Sequence, residues 1–176
     1  SNTIIGNATA NVITGGALGD TMDGRDGSDV YVVASAADFS GDTINDTGSS
    51  GVDEFRFAGK AAATLNLNAV GLELVAIGTG TGANAIATGK GAININASGV
   101  ANGLTMIGNH GANALTGTGF NDVLQGNSGD DNLDGGAGND ALYGGLGNDI
   151  LAGGSGMDSF VFNTTPNATK NWDTIT

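Results

Sequence analysis

A repeat of nine residues is the feature of this sequence that most restricts its fold. In the C-terminal part a hydrophobic residue recurs every nine positions, at Leu115, Leu124, Leu133, Leu142, Leu151 and Phe160. Two positions before each of them stands an Asp or an Asn, and the residues before that are rich in glycine. The same phrase recurs around Ile13, Met22 and Tyr31. A fixed short period is typical of solenoids, in which each repeat is one unit stacked on the next.

The repeat unit reads GGxGxD, then any residue, an aliphatic residue and any residue, so the Asp is position six and the aliphatic residue is position eight. Nine residues suit one turn and one three-residue strand whose middle side chain points inward. Two units then make one coil of a flattened roll, and residues 18 apart stack on the same edge. We predict an all-β fold, a parallel β-roll or β-solenoid with glycine-rich turns. The predicted stacks are Asp122, Asp140 and Asp158 on one edge, and Asp131 and Asp149 on the other.

The repeats divide the chain into four predicted segments. These are N-terminal repeats at 1–33, β-solenoid spacer coils at 34–107, a C-terminal nonapeptide β-roll at 108–162, and a turn with a truncated strand at 163–176. In the spacer, alternating runs predict strands at 52–57, 63–70, 72–77, 92–96 and 104–107. Ile77, Ile86, Ile95 and Leu104 also stand nine residues apart, which predicts coils of the same kind without acidic turns. Bulky residues, Tyr31 to Val33 and Phe160 to Phe162, are expected to join the core and close the ends of the roll.

The charge balance points to cations as partners. Eighteen acidic residues against five Lys and Arg give a formal net charge of −13, which argues against nucleic acid and anionic membrane surfaces. No apolar run is long enough to span a membrane. The chain has no Cys and one His, so disulfides are excluded and the ligands that zinc, copper or iron prefer are scarce.

The acidic columns of the predicted roll indicate a calcium site. Strands stack about 4.8 Å apart, so carboxylates in such a column repel one another unless a cation lies between them. Glycines allow positive φ values, and these turn backbone carbonyl oxygens toward the carboxylates. A cage of hard oxygens alone is typical of calcium. The alternative is that the Asp residues only cap turns, as Asp and Asn often do.

The motif GGxGxDxUx, present at 135–143 and 144–152, resembles the RTX (repeats-in-toxin) calcium-binding β-roll of bacterial secreted and surface proteins. The resemblance implies that an ion binds the carbonyls of positions two and four and the Asp of one turn. It also implies that the ion binds the carbonyls of positions one and three and the Asp of the turn 18 residues later. Several calcium ions are implied, at least three of them in 117–158. Their ligands would be Thr118, Phe120 and Asp122 with Gly135, Ala137 and Asp140; Asn127, Gly129 and Asp131 with Gly144, Leu146 and Asp149; and Gly136, Gly138 and Asp140 with Gly153, Ser155 and Asp158.

Further sites implied by the resemblance contain Asn in place of Asp. One combines Asn109, Gly111 and Asn113 with Gly126, Ser128 and Asp131, and another combines Asn7, Thr9 and Asn11 with Gly24, Asp26 and Asp29. Asp20 is a further candidate ligand, although Asp38, which lies 18 residues later, lacks a glycine turn.

The predicted function is that of a calcium-binding structural module that folds on extracellular calcium. The module would have no catalysis of its own and would belong to a larger secreted or cell-surface bacterial protein, such as an adhesin, a surface-layer protein or a filament. Calcium is the expected partner, with self-association, surface proteins or glycans as further possibilities. One alternative is a folding and secretion appendage of a type I secreted protease, lipase or epimerase. Another is a polysaccharide-active β-helix with Glu54 and Glu73 as acid and base, although both glutamates are expected at the surface.

Overall fold

The computed structural model describes residues 1–79, 89–165 and 171–176. All regular structure in these ranges is strand, and no helix there is long and apolar enough to cross a membrane. The strands are β1 (Thr3–Ile5), β2 (Val12–Ile13), β3 (Thr21–Asp23), β4 (Val30–Val33), β5 (Thr43–Asn45), β6 (Glu54–Phe57), β7 (Ala63–Asn66), β8 (Ala69–Val70), β9 (Leu74–Ile77), β10 (Ile93–Asn96), β11 (Thr105–Ile107), β12 (Ala114–Thr116), β13 (Val123–Ser128), β14 (Asn132–Asp134), β15 (Ala141–Leu146), β16 (Ile150–Ala152), β17 (Ser159–Phe160) and β18 (Thr174–Ile175).

These strands form a parallel β-solenoid. One face is an eight-stranded sheet with the order β17-β15-β13-β11-β9-β6-β4-β2. The chain alternates between this sheet and two smaller sheets, with the orders β18-β16-β14-β12-β10-β7 and β1-β3-β5-β8. All strand pairs are parallel, because each coil lies directly on the one before it. The predicted fold class is confirmed, with about eight coils in the solenoid.

The register agrees with the predicted 18-residue step in both repeat blocks. Leu124 lies beside Leu142, and Leu115 beside Leu133. At the N-terminus Ile4 pairs with Met22 in the same way. Side chains at repeat position eight therefore form continuous inward columns, and the leucines from Leu115 to Leu151 are at most 1% exposed. Each such burial contributes about 1.5–3 kcal/mol.

The spacer keeps the parallel stacking but not the nine-residue period. Tyr31 pairs with Phe55, Phe55 with Val75, and Val75 with Met106, which are steps of 24, 20 and 31 residues. The chain therefore returns to each column at irregular intervals. The predicted spacer strands are present at β6 to β11, but the even spacing of Ile77, Ile95 and Leu104 is not the register. Ile86 lies outside the described residues.

The predicted closure of the roll by bulky residues is wrong at the N-terminal end. Tyr31 is fully buried inside the eight-stranded sheet, because β4 is flanked by β2 and β6. Phe162 is 54% exposed. Phe160 is half-buried against the core. Tyr31 therefore fills a column of the core, whereas Phe160 packs on the core from the terminal strand β17.

Candidate metal sites

The glycines of the repeat are required by the shape of the turns. Positions two and four have left-handed backbones, as in Gly136 (φ 98°) and Gly138 (φ 125°). A Cβ atom at Gly138 would lie 2.5 Å from the carbonyl group of Phe120 in the coil below. Because L side chains disfavour this backbone region, glycine is the residue that fits both constraints.

The aspartates at position six form columns that we call carboxylate ladders. In a ladder, Oδ1 of each Asp accepts a hydrogen bond from the backbone N–H at the equivalent position of the preceding coil. The Asp122 N–H donates to Asp140 over 2.8 Å, and the Asp140 N–H donates to Asp158 over 3.0 Å. On the opposite edge the Asp131 N–H donates to Asp149 over 2.8 Å. The structure thus stacks these aspartates in the predicted order.

The ladders include acidic residues that the 18-residue step does not find. The Asp20 N–H donates to Asp42 over 2.8 Å. The ladder partner of Asp20 is therefore Asp42, 22 residues later, and not the residue at the 18-residue step, Asp38. The Asp149 N–H donates to Asp173 over 3.1 Å. The four ladders in the described residues are Asn2, Asp20 and Asp42; Asn11, Asp29, Asp53 and Glu73; Leu104, Asp122, Asp140 and Asp158; and Asn113, Asp131, Asp149 and Asp173.

The second carboxylate oxygen is left without a partner in five aspartates of the ladders. Oδ2 is buried and has no hydrogen-bond partner in Asp20, Asp29, Asp131, Asp140 and Asp149. A buried polar atom without a partner costs about 1–3 kcal/mol, and more when it is charged. Five such oxygens in regular columns are therefore unstable in this arrangement unless protons or cations bind them.

These oxygens share small spaces with backbone carbonyl oxygens. A Cβ atom at Gly135 would overlap Asp140 Oδ2 and would lie 2.7 Å from the Gly153 carbonyl oxygen. At Gly126, the same atom would overlap Asp131 Oδ2 and would lie 2.6 Å from the Gly144 oxygen. Each space is lined by an unpartnered Asp oxygen and by a backbone carbonyl oxygen of the neighbouring coil, and hard oxygens of these two kinds are the donors that calcium prefers.

The family model of the RTX calcium-binding nonapeptide repeat matches residues 1–31, 107–142 and 126–160. The chain carries RTX calcium-binding repeats. The match confirms the predicted family, and the matched ranges are those in which the 18-residue step holds. No curated protein and no solved structure matches the chain significantly.

The other predicted ligands of the C-terminal RTX block line the same turns. The Ser155 N–H donates to the Gly136 oxygen and the Gly138 N–H to the Ser155 oxygen, both over 2.9 Å. Ala137 forms a bridge with Ser155, and the Gly129 N–H donates to the Leu146 oxygen over 2.8 Å. Each of these accepting carbonyl oxygens keeps a second lone pair for a cation.

Two of the predicted C-terminal sites contain side chains that depart from the glycine pattern. Thr118 donates its N–H to Asp122 Oδ2 over 2.6 Å, so this carboxylate is already satisfied. Phe120 is 49% exposed, and only its carbonyl was a predicted ligand. Asn127 has a left-handed backbone (φ 74°), and its amide donates to the Gly108 oxygen over 2.7 Å.

The predicted N-terminal ligands Asn7, Asn11 and Asp29 make the same ladder contacts as the C-terminal block. Asn11 donates its N–H to Asp29, and its side-chain oxygen accepts the Asn7 N–H over 2.9 Å. The carboxylate of Asp26 is exposed and accepts the Ser49 N–H over 3.0 Å, which ties two coils together. The Gly24 N–H donates to the hydroxyl of Tyr31 over 2.6 Å.

In the part of the chain that the structure describes, no ladder residue forms an ion pair with a basic side chain. Among the described residues the one ion pair joins Arg56 to Glu54, and neither residue is a ladder member. Burial raises the pKa of Asp131 to about 7, and the nearby charges of Asp149 and Asp130 add to this effect. Burial likewise raises the pKa of Asp149 to about 6. Without a metal, the folded chain therefore holds these carboxyls partly protonated near neutral pH.

The two glutamates are placed in unlike surroundings. Glu54 is 2% exposed and accepts a hydrogen bond from Arg56 Nε over 2.6 Å, so its expected surface position was wrong. Glu73 is exposed, and its carboxylate accepts the Asp53 N–H over 2.8 Å. The pairing of both side chains with other groups gives no support to the acid and base pair of a glycan-cleaving site.

Proposed function

We propose that this chain is a calcium-folded structural module, without catalysis of its own, in a larger secreted or cell-surface bacterial protein. The observation that carries the proposal is the column of buried, unpartnered Asp oxygens across stacked RTX turns. In these columns the carboxylates both bridge the coils and present a free oxygen toward the next turn. A calcium ion between two turns would neutralise this charge and join the coils.

Calcium would act as a folding ligand. A ligand that binds the folded state alone adds its binding free energy to stability. Extracellular calcium modules have dissociation constants of about 10⁻⁴ to 10⁻³ M, so the chain would stay open in a calcium-poor cytosol and fold after export. An open chain without disulfides is suited to type I secretion, which is part of this proposal.

The continuity of the solenoid favours a spacer role in an adhesin, a surface-layer protein or a filament. The eight-stranded sheet runs from β2 to β17 through the irregular coils, so the two RTX blocks belong to one rod-like stack. Such a rod could hold binding domains apart, or could contact copies of itself, surface proteins or glycans. The alternative is that the chain is an appendage of a secreted enzyme. The same fold would then assist the secretion and folding of that enzyme.

A calcium titration tests the proposal. The chain is titrated from chelator to about 10 mM calcium, with magnesium as the control ion, while far-UV circular dichroism and Trp172 fluorescence are recorded. A cooperative gain of β signal with calcium alone is expected, and Asp140→Asn should shift its midpoint to higher calcium. The exposed Asp134→Asn is the matched control. Full β signal in chelator, or equal midpoints for the two variants, would contradict the proposal.

A further inference from the structure

Three buried carboxylates meet at the junction between the N-terminal RTX block and the spacer. Asp29, Asp46 and Asp53 each place one carboxylate oxygen within 4.8 Å of the other two. The three residues are 0%, 3% and 5% exposed. Asp46 and Asp53 lie outside the residues that match the RTX repeat, so the repeat pattern does not assign this cluster.

The fold places Asp46 where an RTX turn has its first glycine. Ile44 pairs with Met22 in the inward column, so Asp46, two residues further along the extended chain, also points inward. The Asp46 N–H donates to the Val70 oxygen over 3.0 Å, as the Gly135 N–H donates to the following coil in the regular block. A carboxylate thus enters the space that glycine leaves open in the other turns.

Tyr31 fixes the orientation of this added carboxylate. Its hydroxyl group donates to Asp46 Oδ2 over 2.6 Å and accepts the Gly24 N–H over 2.6 Å. The Asp29 N–H donates to Asp53 Oδ1 over 2.7 Å, which sets the second pair of carboxylates. The cluster is therefore positioned by the Tyr31 hydroxyl and by a backbone N–H group, and not by contacts among its own carboxylates.

An unpartnered oxygen marks this cluster as a ligand site. Asp29 is fully buried, and its Oδ2 has no hydrogen-bond partner. This oxygen lies against Gly24, where a Cβ atom would overlap it, and the N–H of the same Gly24 donates to the Tyr31 hydroxyl that holds Asp46. Within the described ranges no Lys, Arg or His forms an ion pair with the three carboxylates. Burial raises the pKa of Asp53 to about 6, and the charges of Asp46, Glu73 and Asp29 raise it further.

We propose that Asp29, Asp46 and Asp53 bind a divalent cation, with calcium preferred, at a three-carboxylate site. The donors are oxygens only, which favours calcium over zinc or copper. Calcium affinity rises with the number of charged ligands, and the regular RTX turns offer two stacked aspartates where this turn offers three. The site therefore fills at lower calcium than the regular turns and orders the junction first. It depends on its own residues and not on calcium-driven folding of the C-terminal block.

Terbium luminescence tests the site through Tyr31. The chain has one Trp and two Tyr, so the background Trp172→Phe with Tyr143→Phe leaves Tyr31 as the sole Trp or Tyr that can sensitise Tb³⁺. We expect Tyr-sensitised emission that calcium displaces. Asp46→Asn keeps the shape and an acceptor oxygen for Tyr31 but removes one charge, and it should weaken Tb³⁺ and calcium binding about tenfold or more. Asp134→Asn, an exposed carboxylate, should leave both affinities unchanged.

The outcomes separate this site from the proposed function. Absent emission, or equal affinities for Asp46→Asn and Asp134→Asn, overturns the site even if far-UV circular dichroism still shows calcium-driven folding. If calcium does not drive folding but the emission still depends on Asp46, the proposed function is overturned and the site is not. If Asp46→Asn fails to reach the β signal of the unsubstituted chain in saturating calcium, Asp53→Asn provides the same test from the neighbouring coil, with the same tenfold expectation.

Discussion

Lowering the pH should fold the calcium-free chain, because protons can neutralise the buried carboxylates in place of the ion. The strongest effect belongs to Asp131, whose pKa is raised to about 7 by burial and by the charges of Asp149 and Asp130. Asp149 and Asp53 follow, each with a pKa of about 6. In the unfolded chain these carboxyls return to the ordinary Asp pKa of about 3.9.

The sign of the effect follows from these values. The folded, metal-free chain binds the Asp131 proton more tightly than the unfolded chain does, so protonation favours folding. This contribution is complete below about pH 4 and is lost as the pH rises through about 7. A pKa change from 3.8 to about 7 corresponds to about 4 kcal/mol, a large share of the roughly 5–15 kcal/mol that stabilises a typical domain.

Circular dichroism of the chain in chelator between about pH 5 and pH 8, with urea unfolding at each pH where β signal is present, measures this dependence. We expect stability to rise as the pH falls in chelator, and the calcium midpoint to rise as the pH falls in calcium, since protons and calcium compete for the same oxygens. Asp131→Asn imitates the protonated side chain and should flatten the first curve, whereas Asp134→Asn should not. A metal-free chain whose stability is constant or falls toward pH 5 would refute the reasoning.

Three further substitutions, with Gly119→Ala as a control, test the turns and the ladders. In urea unfolding at saturating calcium, Gly138→Ala should lower the free energy of unfolding by about 1–3 kcal/mol. Gly119→Ala should lower it little, because a Cβ atom there meets no atom within 4 Å. Asp173→Asn should raise the calcium midpoint, because Asp173 is the ladder partner of Asp149. An unchanged midpoint would show that Asp173 does not contribute to calcium binding in this ladder. Leu18→Gly should stabilise the first coil by up to about 1 kcal/mol, since Leu18 is 69% exposed at a φ of 80°, and slower amide exchange there would show it.

The repeat blocks could be predicted from sequence because each residue there has a fixed register. Nine residues complete one turn and one strand, so the inward Leu142 and the ladder position of Asp140 follow from counting alone. Counting fails where loops of different length are inserted. Asp42 and Asp173 enter their ladders 22 and 24 residues after their partners, and a fixed step cannot find them.

The burial of charged residues in β6 could not be predicted from the strand pattern. Glu54 and Arg56 alternate with the inward Phe55 and Phe57, and alternation assigns them to the solvent face of an exposed sheet. Both are nonetheless buried, 2% exposed each, and they pair with one another. Alternation predicts the face of the sheet on which a side chain lies. Whether other residues bury that face depends on the tertiary structure.

Asparagine at the start of a ladder shows why the aspartates inside it need a cation. The side-chain oxygen of Asn113 accepts the Asn109 N–H, and its amide group donates to the Ile93 oxygen, both over 2.9 Å. An amide thus satisfies both of its ends with backbone groups and adds no charge. An ionised Asp at the same register has two acceptor oxygens and no donor, so each oxygen needs a donor from another group. In Asp131, Oδ1 accepts the Asn113 N–H, whereas Oδ2 is left without a partner. The ladders therefore begin with a neutral residue and concentrate their unmet charge in the interior coils, where a calcium ion can contact two turns at once.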